Sequence, residues 1–188
     1  MKPITIFSII AVGLLWPMVG QPAGMKSYKN ENYGFCINYP RDWQGQEPFD
    51  KNGILLIPRS PDGYVVRPEI TVSARINQPS ETDENKPQTL QEIADFELAS
   101  IRDYEHPRSL RLLSQSDTHI CSSAAHVMTV EFTESKSGEA HVFREMFFIS
   151  PKDIVYKVGL ECHLKDSDRA SQIWEEIVQS LKLCGEIK

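Results

Sequence analysis

Four cysteines, Cys36, Cys121, Cys162 and Cys184, and the histidines beside two of them are the residues of this chain best equipped for chemistry. A thiolate beside an imidazole can hold zinc or form a nucleophile–base pair. His119 and Cys121 are two apart, so on a strand they share a face, and Cys162 adjoins His163. Neither placement extends into a CxxC or HxxxH spacing, and in an exported chain four cysteines read instead as two disulfides. A second polar group, Glu131, His141, Arg144 and Glu145, falls on neighbouring predicted strands and could meet across them. Such cross-strand charges are surface devices worth under about 1 kcal/mol. Ser122 and Ser123 beside Cys121 have turn composition. The acidic stretch from Asn77 to Gln88 lacks the ligand spacing of a calcium loop. No G-x-S-x-G elbow, P-loop, G-x-G-x-x-G or H-E-x-x-H is present. These residues therefore predict no catalytic residue, no cofactor and no metal.

Periodicity supplies the elements that must position them. Phe35, Ile37 and Tyr39 alternate with Cys36 and Asn38 as in a strand, and Pro40 ends it because it has no N–H to give. Further strands are predicted at Ile54–Ile57 and Ile70–Ile76. Thr89-Leu90-Gln91-Glu92 is a capping box, and Leu90, Ile93, Ala94, Leu98, Ile101 and Tyr104 then mark one apolar helical stripe up to Pro107. Four strands follow, near Leu110–His119, Ala124–Thr133, Glu139–Ile149 and Ile154–Cys162, with short turns that imply an antiparallel meander. A second helix runs from Ser167 to Leu181, with Ala170, Ile173, Trp174, Ile177, Val178 and Leu181 on its stripe. Within Glu145–Ser150, Met146 and Phe148 point one way and Phe147 and Ile149 the other, so both faces of the sheet need cover. The expected fold is α+β: a three-layer α/β/α sandwich around an antiparallel sheet, in the order βββ-α-ββββ-α. Trp43, Trp174 and Tyr33 read as core aromatics in it rather than as a ligand box.

The start of the chain has the form of a secretory signal: Lys2, an apolar run from Ile4 to Trp16, and small residues near Ala23 and Gly24. That run is too short for a spanning helix, so residues 1–24 are expected to be a cleaved signal peptide and residues 25–188 a single exported domain, secreted or periplasmic, with no membrane span. A formal charge of −6 with no Lys/Arg cluster argues against nucleic acid as a partner.

The opening Tyr33-Gly34-Phe35-Cys36-Ile37-Asn38-Tyr39-Pro40-Arg41-Asp42-Trp43, the order of elements, and the closing Ile173-Trp174-Glu175-Glu176-Ile177-Val178-Gln179-Ser180-Leu181 resemble the PsbP-like superfamily. The resemblance runs from about Tyr28 to Leu183. It implies a non-enzymatic accessory or binding protein that docks on a larger protein assembly in the cell envelope, with no catalytic residues. The four cysteines set the chain apart from the photosystem II subunit of that group and align it with the bacterial envelope relatives. The alternative class is a small-ligand carrier or hydrolase with a pocket on the sheet.

The predicted topology also selects a cysteine pairing. Cys162 and Cys184 flank the second helix, about 20 Å apart at ~1.5 Å per residue, beyond the ~7 Å reach of a disulfide. Cys121 and Cys162 fall at opposite ends of the meander, ~25 Å apart at ~3.3 Å per residue. The expected bonds are therefore Cys36–Cys162 and Cys121–Cys184.

Overall fold

The computed structural model describes residues 24–48, 50–59, 68–79 and 88–184. The expected signal peptide, apart from Gly24, and residues 80–87 of the acidic loop lie outside them. Ten strands and two helices are formed in the order β1 (Met25–Asn30), β2 (Phe35–Pro40), β3 (Trp43–Gln46), β4 (Gly53–Pro58), β5 (Glu69–Ile76), α1 (Leu90–Glu105), β6 (Ser109–Ile120), β7 (Ser123–Thr133), β8 (Ala140–Ile149), β9 (Ile154–His163), α2 (Ser167–Ser180) and β10 (Lys182–Leu183). The expected order βββ-α-ββββ-α is corrected accordingly, since five strands precede α1 and a short one follows α2.

The strands form two sheets. Seven lie in the order β3-β4-β5-β9-β8-β7-β6 and three in the order β1-β2-β10. Every pairing is antiparallel. The meander β6 to β9 forms as expected, and α1 carries the chain from β5 to the far edge at β6, so that β9 returns to lie beside β5. The departure is β2, which sits in the small sheet and not the large one. Phe35, Ile37 and Tyr39 bury its inner face, while the backbone N–H of Asn38 donates to Ser180 Oγ (2.8 Å) and the Ser180 hydroxyl donates to the Asn38 carbonyl (3.2 Å). The end of α2 thus satisfies part of the edge of β2.

α1 begins at the capping box: the Thr89 N–H donates to Glu92 Oε2 (2.7 Å) and the Glu92 N–H to Thr89 Oγ1 (3.2 Å). His106 closes it in the left-handed region, at φ 40°. Ile93, Ala94 and Ile101 pack on Met128, Val130, Phe132, Phe147 and Val155, which is one face of the large sheet. On the other face Ala170, Trp174 and Ile177 of α2 join Phe35, Ile37 and Tyr39 of β2 over Met146, Phe148, Tyr156, Val158 and Leu160. Met146 and Phe148 therefore part from Phe147 as their alternation requires. Trp43 and Trp174 are core residues, the latter with its indole N–H donated to the Val158 carbonyl (3.1 Å). Tyr33 packs against the same cluster, and its carbonyl accepts from Tyr156 Oη (2.7 Å).

The expected Cys36–Cys162 and Cys121–Cys184 bonds are corrected by the position of β2. Cys36 lies opposite Lys182 of β10 and is bonded to Cys184, with Cα atoms 5.9 Å apart. Cys162 is buried on β9 within the core and takes no part in that bond. Cys121 is a half-buried thiol at the β6–β7 turn, donating to the Leu181 carbonyl (3.4 Å). What failed is the premise that all four cysteines are bonded: β2 sits in the small sheet beside β10, which brings Cys36 to Cys184.

Candidate functional site

Strand alternation makes one polar stripe on the face of the large sheet that α1 only partly covers. Glu69, Thr71 and Ser73 of β5 lie directly opposite Glu161, Gly159 and Lys157 of β9, and these in turn lie opposite Phe143, Glu145 and Phe147 of β8. α1 packs over β7 and β8, and its Glu97 reaches over its edge to Lys157. A concavity of about 550 Å³ opens over β4, β5 and β9, lined among others by Leu55, Glu69, Thr71, Ser73 and Lys157. A smaller one of about 90 Å³ adjoins it above Glu145 and Gly159.

Lys157 is the hinge of this groove. Its Nζ stands 3.2 Å from Glu97 Oε2 and 3.4 Å from Glu145 Oε1. Burial works against its charge, yet the two carboxylates hold the ammonium above its ordinary pKa. Glu145 is 1% exposed. Burial pushes its carboxyl from 4.5 up to about 7, Lys157 pulls it down, and the nearby Glu97 raises it further. Neither Glu145 oxygen has a hydrogen-bond donor, because the Lys157 contact is ionic in distance without the geometry of a hydrogen bond.

A pH effect on stability follows. The folded state holds the Glu145 proton more tightly than the unfolded chain does, so protonation stabilises the fold and that contribution is lost as pH rises from about 4.5 through about 7. Between pH 4.5 and 7.5 the wild type is expected to lose about 1–3 kcal/mol more than Glu145→Gln does. Urea midpoints at the two pH values check this; equal pH dependence in both proteins would refute it.

At the end of the stripe His141 and His163 lie opposite each other across β8 and β9, with ring centroids 4.7 Å apart. His141 is buried and stacked on Phe132 at 5.2 Å, with its Nδ1 3.9 Å from Glu161 Oε1; His163 Nδ1 is 3.6 Å from Glu139 Oε2. Glu139, His141 and His163 each offer a ligand atom, all within 4.8 Å of one another. Two imidazoles and a carboxylate are a donor set suited to a first-row divalent ion such as zinc, with Glu161 placed to orient His141. These are the residues among those described that could hold a metal, and the sequence reading missed them. Histidines 22 positions apart become neighbours only through strand register, a signal legible once β8 and β9 are aligned. If the set is a zinc site, one equivalent binds the protein and affinity falls about 10-fold or more in His163→Ala, as read by calorimetric titration; an unchanged isotherm in that variant removes the assignment.

The polar residues singled out in the sequence are not brought together. Glu131 and Arg144 lie on the α2 face, Glu131 paired with Arg111 (3.1 Å) and Arg144 with Glu175 (3.1 Å), its guanidinium 4.3 Å from the Trp174 ring centre. His141 and Glu145 share the groove face but lie at different places along it. Cys121 and Ser122 are turn residues at φ 49° and 65°. Burial pushes the Cys121 thiol up, which disfavours the thiolate a nucleophile needs. His126 Nδ1 is 2.8 Å from Asp117 Oδ1, an acid–imidazole pair whose buried Nε2 has no hydrogen-bonded nucleophile among the described residues.

No protein-family model and no curated protein sequence matches the chain. Solved structures do. Cyanobacterial PsbP (CyanoP) from Synechocystis superposes with a TM-score of 0.63 at 12% identity, covering 95% of this chain and 98% of that one. The Ran-binding protein Mog1p of Saccharomyces cerevisiae gives 0.59 at 11% identity, with 86% and 96% covered. LpqN of Mycobacterium tuberculosis, involved in cell envelope biogenesis, gives 0.54 at 11% identity, with 84% and 89% covered. With most of each chain superposed at these TM-scores, the protein has the PsbP-like fold.

Proposed function

We propose that the protein is an exported, non-enzymatic accessory protein of the cell envelope that docks on a larger protein assembly through the groove beside α1. The observation that carries this reading is the groove itself, a concavity of about 550 Å³ on a sheet face that α1 leaves partly open, lined by backbone-rich strand residues and edged by charge. Its shape suits an extended segment of a protein partner better than a small molecule, for which enclosure is needed. The neighbours of the same fold include a Ran-binding protein and an envelope-biogenesis protein, which is consistent with a binding role. Export is supported by the signal form of residues 1–24 and by a disulfide, a bond that persists in oxidising compartments. The reading takes residues 25–188 as one domain of three layers.

The oxidised mature protein, used as bait in the native envelope fraction, is expected to capture a defined partner that Ser73→Trp, which fills the groove, loses. Capture equal in both proteins would place docking elsewhere, and none from either would refute the reading. In the native host the mature chain is expected to start near Met25; mass spectrometry showing an intact Met1 would refute export.

A further inference from the structure

We infer that the small cavity over Glu145 is a receptor for a cationic side chain, a lysine ammonium or an arginine guanidinium, presented by the docked partner. The inference rests on the docking reading and adds to it the chemistry of the contact.

The first support is an imbalance of charge. Lys157 is the ammonium beside both Glu97 and Glu145 and sits closer to Glu97, which also feels the Arg75 guanidinium, whereas Lys157 is the one cation within ion-pair distance of Glu145 among the described residues. Glu145 is left with two oxygens that accept no hydrogen bond, in a site almost closed to water. A buried acceptor without a donor is costly, and a carboxylate more so. Glu69 and Glu161 stand directly opposite each other on β5 and β9 beside it, a like-charge cross-strand pair that is unfavourable by itself. Three carboxylates and one ammonium line the same cavity of about 90 Å³. An incoming cation offsets that excess of negative charge and gives Glu145 a partner.

The second support is space made at a cost. Gly159 lies opposite Glu145 in the middle of β9, where glycine weakens a strand. A Cβ at that position would stand 3.4 Å from Glu145 Oε1. With no side chain there, the small cavity over the carboxylate adjoins the larger groove, Thr71 and Lys157 lining both. Phe143 supplies the apolar wall along which the methylenes of a lysine or arginine would lie.

The groups facing Glu145 are Lys157 and Glu161 from β9, Glu69 from β5 and Glu97 from α1. Lys157 is the cation among them, and it competes with the incoming one for Glu145. Binding then requires the ionised Glu145, so it strengthens as pH rises through the titration of that carboxyl.

The test uses the mature, oxidised chain, amide NMR, and n-butylammonium and ethylguanidinium chlorides as probes, with sodium chloride at matched ionic strength as control. Saturable shifts at the Thr71, Glu145 and Gly159 amides are expected with at least one probe, weaker below the Glu145 titration, and weakened about tenfold or more in Glu145→Gln. Gly159→Ala, which keeps every charge, is expected to weaken binding too. The probe that saturates identifies which side chain the cavity takes. Shifts no different from the sodium control, or equal binding in both variants, overturn the inference. Envelope capture that survives in Glu145→Gln and Gly159→Ala but fails in Ser73→Trp would remove this inference and leave the docking reading standing.

Discussion

Trp174→Ala is expected to destabilise the protein by about 3–5 kcal/mol, the range for removing a buried tryptophan from a core. Trp174 is 2% exposed and stands where α2 meets the large sheet, packed with Phe35 and Ile37 of β2 on one side and the β8–β9 residues on the other. Its loss opens a cavity shared by three elements, which cannot all close on it at once. It also removes the hydrogen bond that the indole N–H donates to the Val158 carbonyl at 3.1 Å. Trp174→Phe separates the two effects, since it keeps most of the volume and loses the N–H, with an expected cost of about 1–3 kcal/mol. Urea denaturation reads both, and an unchanged m-value marks the change as one of stability. A loss under about 1 kcal/mol in the alanine variant would mean that α2 contributes little to the core.

Loss of the Cys36–Cys184 bond is the second large effect, expected to cost about 2–5 kcal/mol in Cys36→Ser. The bond closes a loop across 148 residues of sequence, so it restricts the unfolded chain over nearly all of the described structure. In the folded state β10 is two residues long and pairs with β2 at two positions, which is too little ladder to hold the end of the chain by itself. Cys121→Ser, which breaks no bond between cysteines, is expected to cost under about 1 kcal/mol. Non-reducing peptide mapping supplies the connectivity: a Cys36–Cys184 peptide is expected, and a Cys36–Cys162 or Cys121–Cys184 peptide would overturn it.

What the sequence disclosed follows from how far each signal reaches. The capping box at Thr89, the stripe of α1 and the opposed faces of Met146 and Phe147 are local patterns, legible within a few residues. β1 was invisible because Met25–Asn30 is a polar run with no apolar alternation, made a strand by pairing with β2. β10 is two residues long and leaves no periodic signal, so nothing in the sequence places Cys36 beside Cys184. Export and the extent of the domain stay readings of the sequence. The groove was harder still. Glu69, Glu97, Glu145 and Lys157 come from four separate elements, and only the insertion of β9 between β5 and β8 brings them to one face. No spacing rule contains that information, because it lies in strand order.

The bond between Cys36 and Cys184 also has a consequence in time. A chain made from its N-terminus exposes Cys36 first, and Cys121 and Cys162 both emerge before the correct partner exists. Until Cys184 follows, 148 residues after Cys36, a thiolate can meet the wrong neighbour. Burial of Cys162 in the core and withdrawal of Cys121 against the Leu181 carbonyl remove both competitors once the meander and α2 have folded. The order of events is then sulfur chemistry last: the body of the protein assembles, withdraws Cys121 and Cys162, and leaves Cys184, the last residue of the described chain, to find Cys36.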